Sequence, residues 1–454
     1  MDVFQNNKIL VLGMARSGYE AAKFLSKRNN TVILNDGGKE EKQNKDQVTE
    51  LKKLGVTLIF GSHPDDLLDD SFDYVIKNPG IPIDHKYVLR ARELGIEVIN
   101  EAEMAYRLLP EDVTLIGITG TNGKTTTTTL AYEMIKKSGK KVHLAGNIGY
   151  PLTSFLNKLE KGDIIVMEVS CQQLENMSKF RPHIALMTNL SMAHIDFLKT
   201  YENYKRVKFK IFQNQEKDDI AILNMENEEV MAGAEKIKAM VKYFSSKSEI
   251  NGAYYSEDAL WYYGEKIIDR KDFFLKGNHN VENALGSLMI AKEVGVETKD
   301  IKEVLETFKG VPHRLEYVDE IDGVEYYNDT EATNTKSTQI ALSSFKENVI
   351  LILGGLERGQ DFHDLDSYLT PVKTIVGIGE CRARVKEYGD EKGIKTATFE
   401  TLKEAMEYID HIKEKGDIVL LSPASASWDQ YKQCEDRGDE FKELVKERKY
   451  KNED

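Results

Sequence analysis

The segment Gly120-Thr121-Asn122-Gly123-Lys124-Thr125-Thr126 lies between a β-branched run and a stretch of helical periodicity. In that setting glycines let backbone N–H groups turn inward around phosphate oxygens, Lys124 reaches the terminal phosphates, and the Thr125 hydroxyl is placed to ligate Mg2+. The chemistry this predicts is nucleoside triphosphate binding. The match to GxxxxGK[ST] is loose, because Ile118 opens it and the glycine falls at 120. An ordinary glycine-rich strand-to-helix turn is the alternative. Thr125 to Thr129 form an unbroken threonine run, a poor helix interior by propensity, so something beyond local preference must favour a helix there.

A second loop, Gly13-Met14-Ala15-Arg16-Ser17-Gly18, follows the first β-branched run, and Asp36 ends the next one. Together they resemble half of a dinucleotide fingerprint, with Asp36 placed to meet a ribose or base. The middle glycine is missing, so a ligand-free turn and a cradle for the diphosphate of a nucleotide-sugar both stay open. Glu168 ends the run DIIVMEVS, where a carboxylate can meet Mg2+ held by a neighbouring phosphate loop or simply face solvent. His194 also stands beyond a strand end, where partly buried histidines without function are common. Lys208 falls in a lysine-rich helical stretch, and its type does not set it apart from Lys205 or Lys210. Asn280 reads as a helix cap, and Asn283, one turn on, shares its face. His313-Arg314 follows a break at Lys309-Gly310-Val311-Pro312, where an arginine can close on phosphate or make a linker salt bridge. Asn328 to Asn334, Gly354 to Gly359 and Ser422 to Ser427 are polar clusters after strands, where open α/β sheets bind ligands.

Strands must end beneath these loops to present them. Short β-branched runs alternate with amphipathic stretches almost from end to end, which predicts an α/β chain with parallel sheets. KILVLG (8–13), TVILND (31–36), VTLIFG (56–61), FDYVIKNPG (72–80) and IEVI (96–99) make a Rossmann-like first domain, 1–100. VTLIGITG (113–120), DIIVMEVS (163–170), IALMTNL (184–190), DDIAILN (218–224) and a tyrosine-rich antiparallel edge near Tyr254 to Tyr263 make a central P-loop-type domain, 101–310. A hairpin turning at Asp322-Gly323, then NVILILGG (348–355), TIVGIG (374–379), DIVLLSPAS (417–425) and a charged helix from about 436, make a Rossmann-like third domain, 311–454. Lys446 to Asp454 reads as a solvated tail. Three domains agree with a length of 454 residues at ~150 residues per domain.

With 62 basic against 76 acidic residues, the net charge of −14 argues against nucleic acid and anionic membrane surfaces as partners. Cys171, Cys381 and Cys434 are far apart and form no CxxC pair, which supports neither a disulfide framework nor a structural zinc site. The N-terminus lacks a basic segment followed by an apolar one, and the longest apolar runs are strand-sized, so a cytoplasmic location is expected.

The ordered series GMARSG, KNPGIP, ITGTNGKTT, GNIG, EVSCQQLE, NLSMAHID, YKRVKFKI, GNHNVENALG, GVPHRLE, NDTEATN, LGGLERG and LLSPASASWDQY resembles the Mur ligase family over almost the whole chain. The resemblance is greatest to members that join D-glutamate (D-Glu) to UDP-N-acetylmuramoyl-L-alanine (UDP-MurNAc-L-Ala) through an acyl phosphate made with ATP. It implies that Arg16, Ser17 and Gly18 meet the UDP diphosphate, Asp36, Pro79 and Gly80 approach uracil, and Asn147 touches the sugar-peptide. Gly120 to Thr126 would hold ATP with Asn283, His313, Arg314 and Asp329. Thr125 and Glu168 would hold one Mg2+, and His194 and an N6-carboxylated (carbamylated) Lys208 a second. Thr333, Arg358 and Ser427 would bind D-Glu, and a monomer is expected. Glu331 and Arg358 stand where such chains often have lysine, and Cys434 where phenylalanine is common. The competing readings are a sibling ligase with another amino acid, a nucleotide switch for which only the phosphate loop speaks, and a nicotinamide oxidoreductase, which the missing glycine undermines.

Overall fold

The computed structural model describes residues 4–192, 195–275 and 277–451, with Ile195, Asp196, Tyr450 and Lys451 described by backbone alone. The chain divides into two compact units, Met1–Thr307 and Phe308–Asp454.

The first unit contains two sheets. Strands β1 (Lys8–Leu12), β2 (Thr31–Asp36), β3 (Thr57–Phe60), β4 (Tyr74–Lys77) and β5 (Glu97–Ile99) form an all-parallel sheet in the order β3-β2-β1-β4-β5. Its strands read as continuous apolar runs because both faces are covered: Ile9 and Val11 enter one core, Leu10 and Leu12 another. The order reverses at β1, so the loops after β1 and β4 lie side by side at the carboxyl edge, the place where open α/β sheets take ligands.

The second sheet comprises β6 (Thr114–Thr119), β7 (Val142–Gly146), β8 (Ile164–Glu168), β9 (Ile184–Met187), β10 (Ile220–Asn224), β11 (Met240–Ser245), β12 (Ala253–Ser256), β13 (Ala259–Tyr262) and β14 (Glu265–Asp269). Their order, β14-β13-β12-β11-β10-β9-β6-β8-β7, sets β6 between β8 and β9, so the loops after these three strands are neighbours. The tyrosine-rich segment is the expected antiparallel edge, β12 to β14, with Tyr254 stacked on Trp261. The threonine run opens the Lys124–Lys137 helix, where Thr127, Thr128 and Thr129 are buried. Packing against the Asn278–Glu293 helix overrides their propensity: Ser287 Oγ donates to Thr127 O at 3.0 Å.

In the second unit, β15 (Glu316–Ile321), β16 (Val324–Asn328), β17 (Val349–Gly354), β18 (Val372–Ile378), β19 (Lys395–Thr398) and β20 (Ile418–Leu421) form a sheet ordered β15-β16-β20-β17-β18-β19. The β15/β16 hairpin turns at Asp322 and Gly323, both at positive φ, as expected of Asp-Gly. The remaining pairs are parallel, with β20 inserted between β16 and β17. The closing helix spans Cys434–Lys451, which corrects the reading of a solvated tail from Lys446. Arg448 is buried there, its Nε donating to Asp410 Oδ1 at 2.9 Å and its Nη1 to Leu444 O at 2.6 Å. Among the described residues no helix is long and apolar enough to cross a membrane.

Candidate active site

The phosphate loop connects β6 to the Lys124–Lys137 helix, with Gly123 as the helix N-cap in a left-handed conformation. Two glycines are sterically required. A Cβ on Gly120 would collide with Thr188 Oγ1, and one on Gly123 with Asn283 Oδ1. The loop after β9 braces it from the side: Thr121 N donates to Asn189 O at 2.9 Å, Asn122 N to Asn189 Oδ1 at 3.0 Å, and Thr188 Oγ1 to Asn122 O at 2.6 Å. Lys124 Nζ donates to Thr121 O at 2.9 Å, folded back over its own loop. Thr125 and Thr126 are half-buried in the first helical turn. Asn283 is seated against this loop: its Oδ1 accepts from Thr127 Oγ1 at 3.3 Å, and its Nδ2 donates to Asn280 Oδ1 at 3.1 Å. Asn280 is therefore not the helix cap, a place taken by Gly277 without any side-chain bond.

Behind the loop lies a buried polar cluster. Lys208, 1% exposed, donates from Nζ to Thr119 Oγ1 at 3.0 Å and to Gly120 O at 2.8 Å. Burial, and then the nearby Lys124 ammonium, pull its amine down to about 7. Lys208 is thus set apart from Lys205, which pairs with Glu202 and Glu229 at the surface, and from Lys210, which donates to Glu175 O. Tyr204, one helical turn before Lys208, places its hydroxyl 2.9 Å from Thr121 Oγ1 and its ring 5.6 Å from the Lys208 amine. At the end of β8, Glu168 is buried; its Oε1 accepts from Asn147 Nδ2 at 2.7 Å, and its Oε2 has no partner among the described residues. Asn147 therefore orients Glu168 with its amide. His194 lies outside the described residues.

At the first sheet, a Cβ on Gly18 would collide with Gly13 O, so the β1 loop closes tightly on its helix. Ser17 Oγ accepts from Asn78 Nδ2 at 2.9 Å, which joins this loop to the Pro79-Gly80 turn after β4, and Arg16 is exposed at the first helical position. The Asp36 carboxylate is taken up by the protein itself, accepting from Met14 N at 2.8 Å and Gly38 N at 2.7 Å. Sequence reasoning missed Lys77. Wholly buried, it donates to the carbonyls of Asn78, Pro79 and Ile81 and so shapes the Pro79-Gly80 turn; desolvation lowers its amine to about 8. The available signal was a lysine ending an otherwise apolar strand.

Residues 118–291 match the Mur ligase middle domain, 313–425 the Mur ligase glutamate ligase domain, and 7–100 the Mur ligase MurD-like N-terminal domain. A UDP-N-acetylmuramoylalanine–D-glutamate ligase of Enterococcus hirae is 43% identical over 446 residues, covering 97% of this chain and 96% of that one. Its counterpart from Lactococcus lactis subsp. cremoris is 44% identical, covering 96% and 97%. This chain belongs to the Mur ligase family. Among solved structures, the UDP-N-acetylmuramate-alanine ligase of Thermotoga maritima matches with a TM-score of 0.56 at 20% identity, covering 97% of this chain and 99% of that one. The MurF ligase of Thermotoga maritima in complex with ADP gives 0.54 at 18% identity, covering 93% and 97%. At such identities the likeness is one of fold, and the fold is the three-domain α/β architecture of Mur ligases.

In the second unit of this Mur ligase, the 313–316 segment is tied to the loop after β16. Leu315 N donates to Asp329 Oδ1 at 3.0 Å, and Glu331 N to His313 O at 3.1 Å. His313 is held at positive φ, with Nδ1 3.2 Å from Asn328 Nδ2. Asp329 is buried, and desolvation raises its carboxyl to about 7 even though Ser422 Oγ donates to it at 2.7 Å. Arg314 and Asp329 line a small cleft of about 100 Å3. Glu331, in the place of a lysine, pairs with Arg314 at 3.3 Å. Ser427 is buried, its hydroxyl without a partner among the described residues, and the exposed Arg358 guanidinium lies 4.7 Å from the ring centre of Trp428, the residue after Ser427. Thr333 is exposed on the β16 loop. Another residue the sequence did not single out, Arg437, lies buried beneath these loops.

Proposed function

We propose that this Mur ligase joins D-Glu to UDP-MurNAc-L-Ala with ATP, in peptidoglycan precursor synthesis. The observation that carries the reading is the identity of 43% along 97% of the chain to a ligase of that name. The phosphate loop backed by Lys208 and Glu168 supplies a physical basis for it.

Both reactants of the first step are anions. The proposed course brings an oxygen of the substrate carboxylate onto the γ-phosphorus as the bond to the β-phosphate oxygen breaks, leaving ADP and an acyl phosphate. The D-Glu amine then bonds to the acyl carbon, loses a proton, and inorganic phosphate departs. Lys124 and the N–H groups of Gly123 to Thr126 at the start of its helix would offset charge on the transferring phosphoryl group, the task that preorganised donors perform best. Asn283, seated on the loop, would contact ATP, as would His313, Arg314 and Asp329 in the second unit. Arg16, Ser17 and Gly18 would meet the UDP diphosphate, Asp36, Pro79 and Gly80 would approach uracil, and Asn147 would touch the sugar-peptide. Thr333, Arg358 and Ser427 would receive D-Glu, Arg358 offering a fork to a carboxylate. We take 1–100, 101–310 and 311–454 as the UDP-substrate, ATP and amino-acid domains, in a cytoplasmic monomer.

The buried Oε2 of Glu168, without a partner among the described residues, is an oxygen suited to Mg2+, and Thr125, in the first turn of the helix after the phosphate loop, would be its fellow ligand. Lys208 as an ammonium does not suit a cation, since it donates to Thr119 and Gly120. A neutral amine there can add to CO2 and release a proton, and the resulting carbamate would provide an anionic oxygen alongside His194. Two Mg2+ ions so held would neutralise charge building between the two anions. The test is ADP release by the purified chain, expected only when UDP-MurNAc-L-Ala and D-Glu are both present. Turnover with neither refutes a ligase, and turnover with another amino acid reassigns the substrate.

A further inference from the structure

The closing helix Cys434–Lys451, expected as a charged helix from about 436, carries a buried cation near its start. Arg437 is 1% exposed and heads the large, fully buried side chains. Its guanidinium reaches the carboxyl ends of the three adjacent strands β16, β20 and β17. Nε donates to Thr330 Oγ1 at 3.0 Å, Nη2 to Thr330 O at 3.1 Å and to Ser425 O at 3.0 Å, and Nη1 to Gly354 O at 3.5 Å. The loop above packs directly on it: a Cβ on Gly355 would come to 3.0 Å from Nη1.

All of these acceptors are neutral. Among the described residues Arg437 forms no ion pair; Asp429 acts on it through space, but one Asp429 oxygen already accepts from Glu380 N at 3.1 Å. Burial lowers the guanidinium only to about 10, so it stays charged at neutral pH. A buried charge without a counter-charge is costly, and a well-packed apolar side chain is often the more stable choice. Two features of the same loops indicate what offsets the cost. Ser427, two residues beyond the Ser425 carbonyl that Arg437 holds, has a buried hydroxyl with no partner among the described residues. Arg358, four residues beyond Gly354, lies over the Trp428 ring and is open to solvent. A buried hydroxyl and an exposed guanidinium on these loops both suit a carboxylate, and the ligand that balances a buried cation is an anion.

We propose that Arg437 is a positioning residue for the amino-acid substrate: it holds the Thr330, Gly354 and Ser425 loops in register and sets a buried positive charge beneath the seat of the dicarboxylate. This rests on the D-Glu reading above. It accounts for how a chain with Glu331 in place of a lysine keeps a positive field near its amino acid.

The experiment uses the full chain with Arg437→Gln, Arg437→Lys and Thr330→Val, measuring KM for D-Glu, KM for ATP, kcat and melting temperature. Loss of a charge acting over a short, partly desolvated path raises the D-Glu KM in Arg437→Gln by about thirtyfold. The ATP KM and kcat stay near those of the wild type. Arg437→Lys, which keeps the charge and loses the fork, restores most of the D-Glu affinity. If Arg437→Gln does not fold, the lysine variant and Thr330→Val carry the test. Thr330→Val keeps the charge and the main-chain bond but removes the Oγ1 acceptor that fixes the guanidinium against this loop, and raises the D-Glu KM by a few-fold. An unchanged D-Glu KM in the folded variants, with only melting temperature or kcat reduced, overturns the proposal, as does a rise confined to the ATP KM. The wild-type chain is assayed first. If it rejects D-Glu, the substrate assignment fails by itself, and the same variants are then read on the amino acid it accepts.

Discussion

Replacing Asp329 by asparagine separates what this carboxyl does for the fold from what it does for the reaction. Desolvation raises it from 3.8 to about 7, with hydrogen bonds from Ser422 and the Leu315 amide opposing that rise. The folded form therefore keeps a proton that the unfolded chain gives up between those values. Stability falls as pH rises through that window, and the whole cost is present above pH 7. At ~1.36 kcal/mol per pH unit, the cost is about 4 kcal/mol at pH 8 and about 1–2 kcal/mol at pH 5. The asparagine side chain cannot ionise, while its oxygen can still accept from Leu315 and its amide can donate to Ser422. The stability advantage of Asp329→Asn over the wild type should thus be about 3 kcal/mol larger at pH 8 than at pH 5. Urea unfolding followed by Trp428 fluorescence in a Trp261→Phe background reports on the second unit, since the chain has two tryptophans, one in each unit. An advantage that is the same at both pH values, or that shrinks on going to pH 8, would refute the reasoning. If Asp329 also meets ATP, the same variant raises the ATP KM about tenfold, as expected for a lost charge-assisted hydrogen bond. A gain in stability would then accompany a loss of activity, the pattern of a residue retained for function.

Lys208→Ala should lower kcat by at least about a hundredfold, as expected of a group acting in transition-state charge stabilisation. Lys210→Ala should stay within a few-fold; ADP release with both substrates measures both, and equal effects would remove the special role of Lys208. Arg448→Ala should lower the stability of the second unit by about 2–3 kcal/mol, since it strips the bidentate partner from Asp410, which urea unfolding reports through Trp428. An unchanged midpoint would return the end of the chain to a loosely held tail.

The strands that were legible are those buried on both faces, such as β1, β8 and β17, because water is excluded from each side and the run becomes continuously apolar. The overlooked ones are β7, β11 and β19, whose residues are mostly only part-buried, so Val-His-Leu-Ala-Gly and Lys-Thr-Ala-Thr carry no such run. Phosphate-loop chemistry was legible because it depends on backbone N–H groups and local glycines, which sequence spacing encodes. Lys208, Lys77 and Arg437 were not legible one by one. A charged side chain on a helix or strand end reads as solvated, and only the arrival of segments distant in sequence takes its water away. Thr119 meets Lys208, and Thr330 meets Arg437, across most of a domain. For Lys208 the ordered resemblance supplied what residue type could not. Asn147 and Asp36, both expected near a ligand, also have partners within the protein that spacing does not reveal: Asn147 donates to Glu168, and Asp36 accepts from the Met14 and Gly38 amides.

The Arg437 anchor has a consequence for how this architecture can change over generations. Three of its acceptors are main-chain carbonyls, those of Thr330, Ser425 and Gly354, and a carbonyl is present whatever side chain a codon specifies. Side chains of the surrounding loops can therefore be exchanged while the anchor persists. A scaffold anchored in that way can try new amino acids as substrates by drift at a few loop positions, without first rebuilding the frame that holds them.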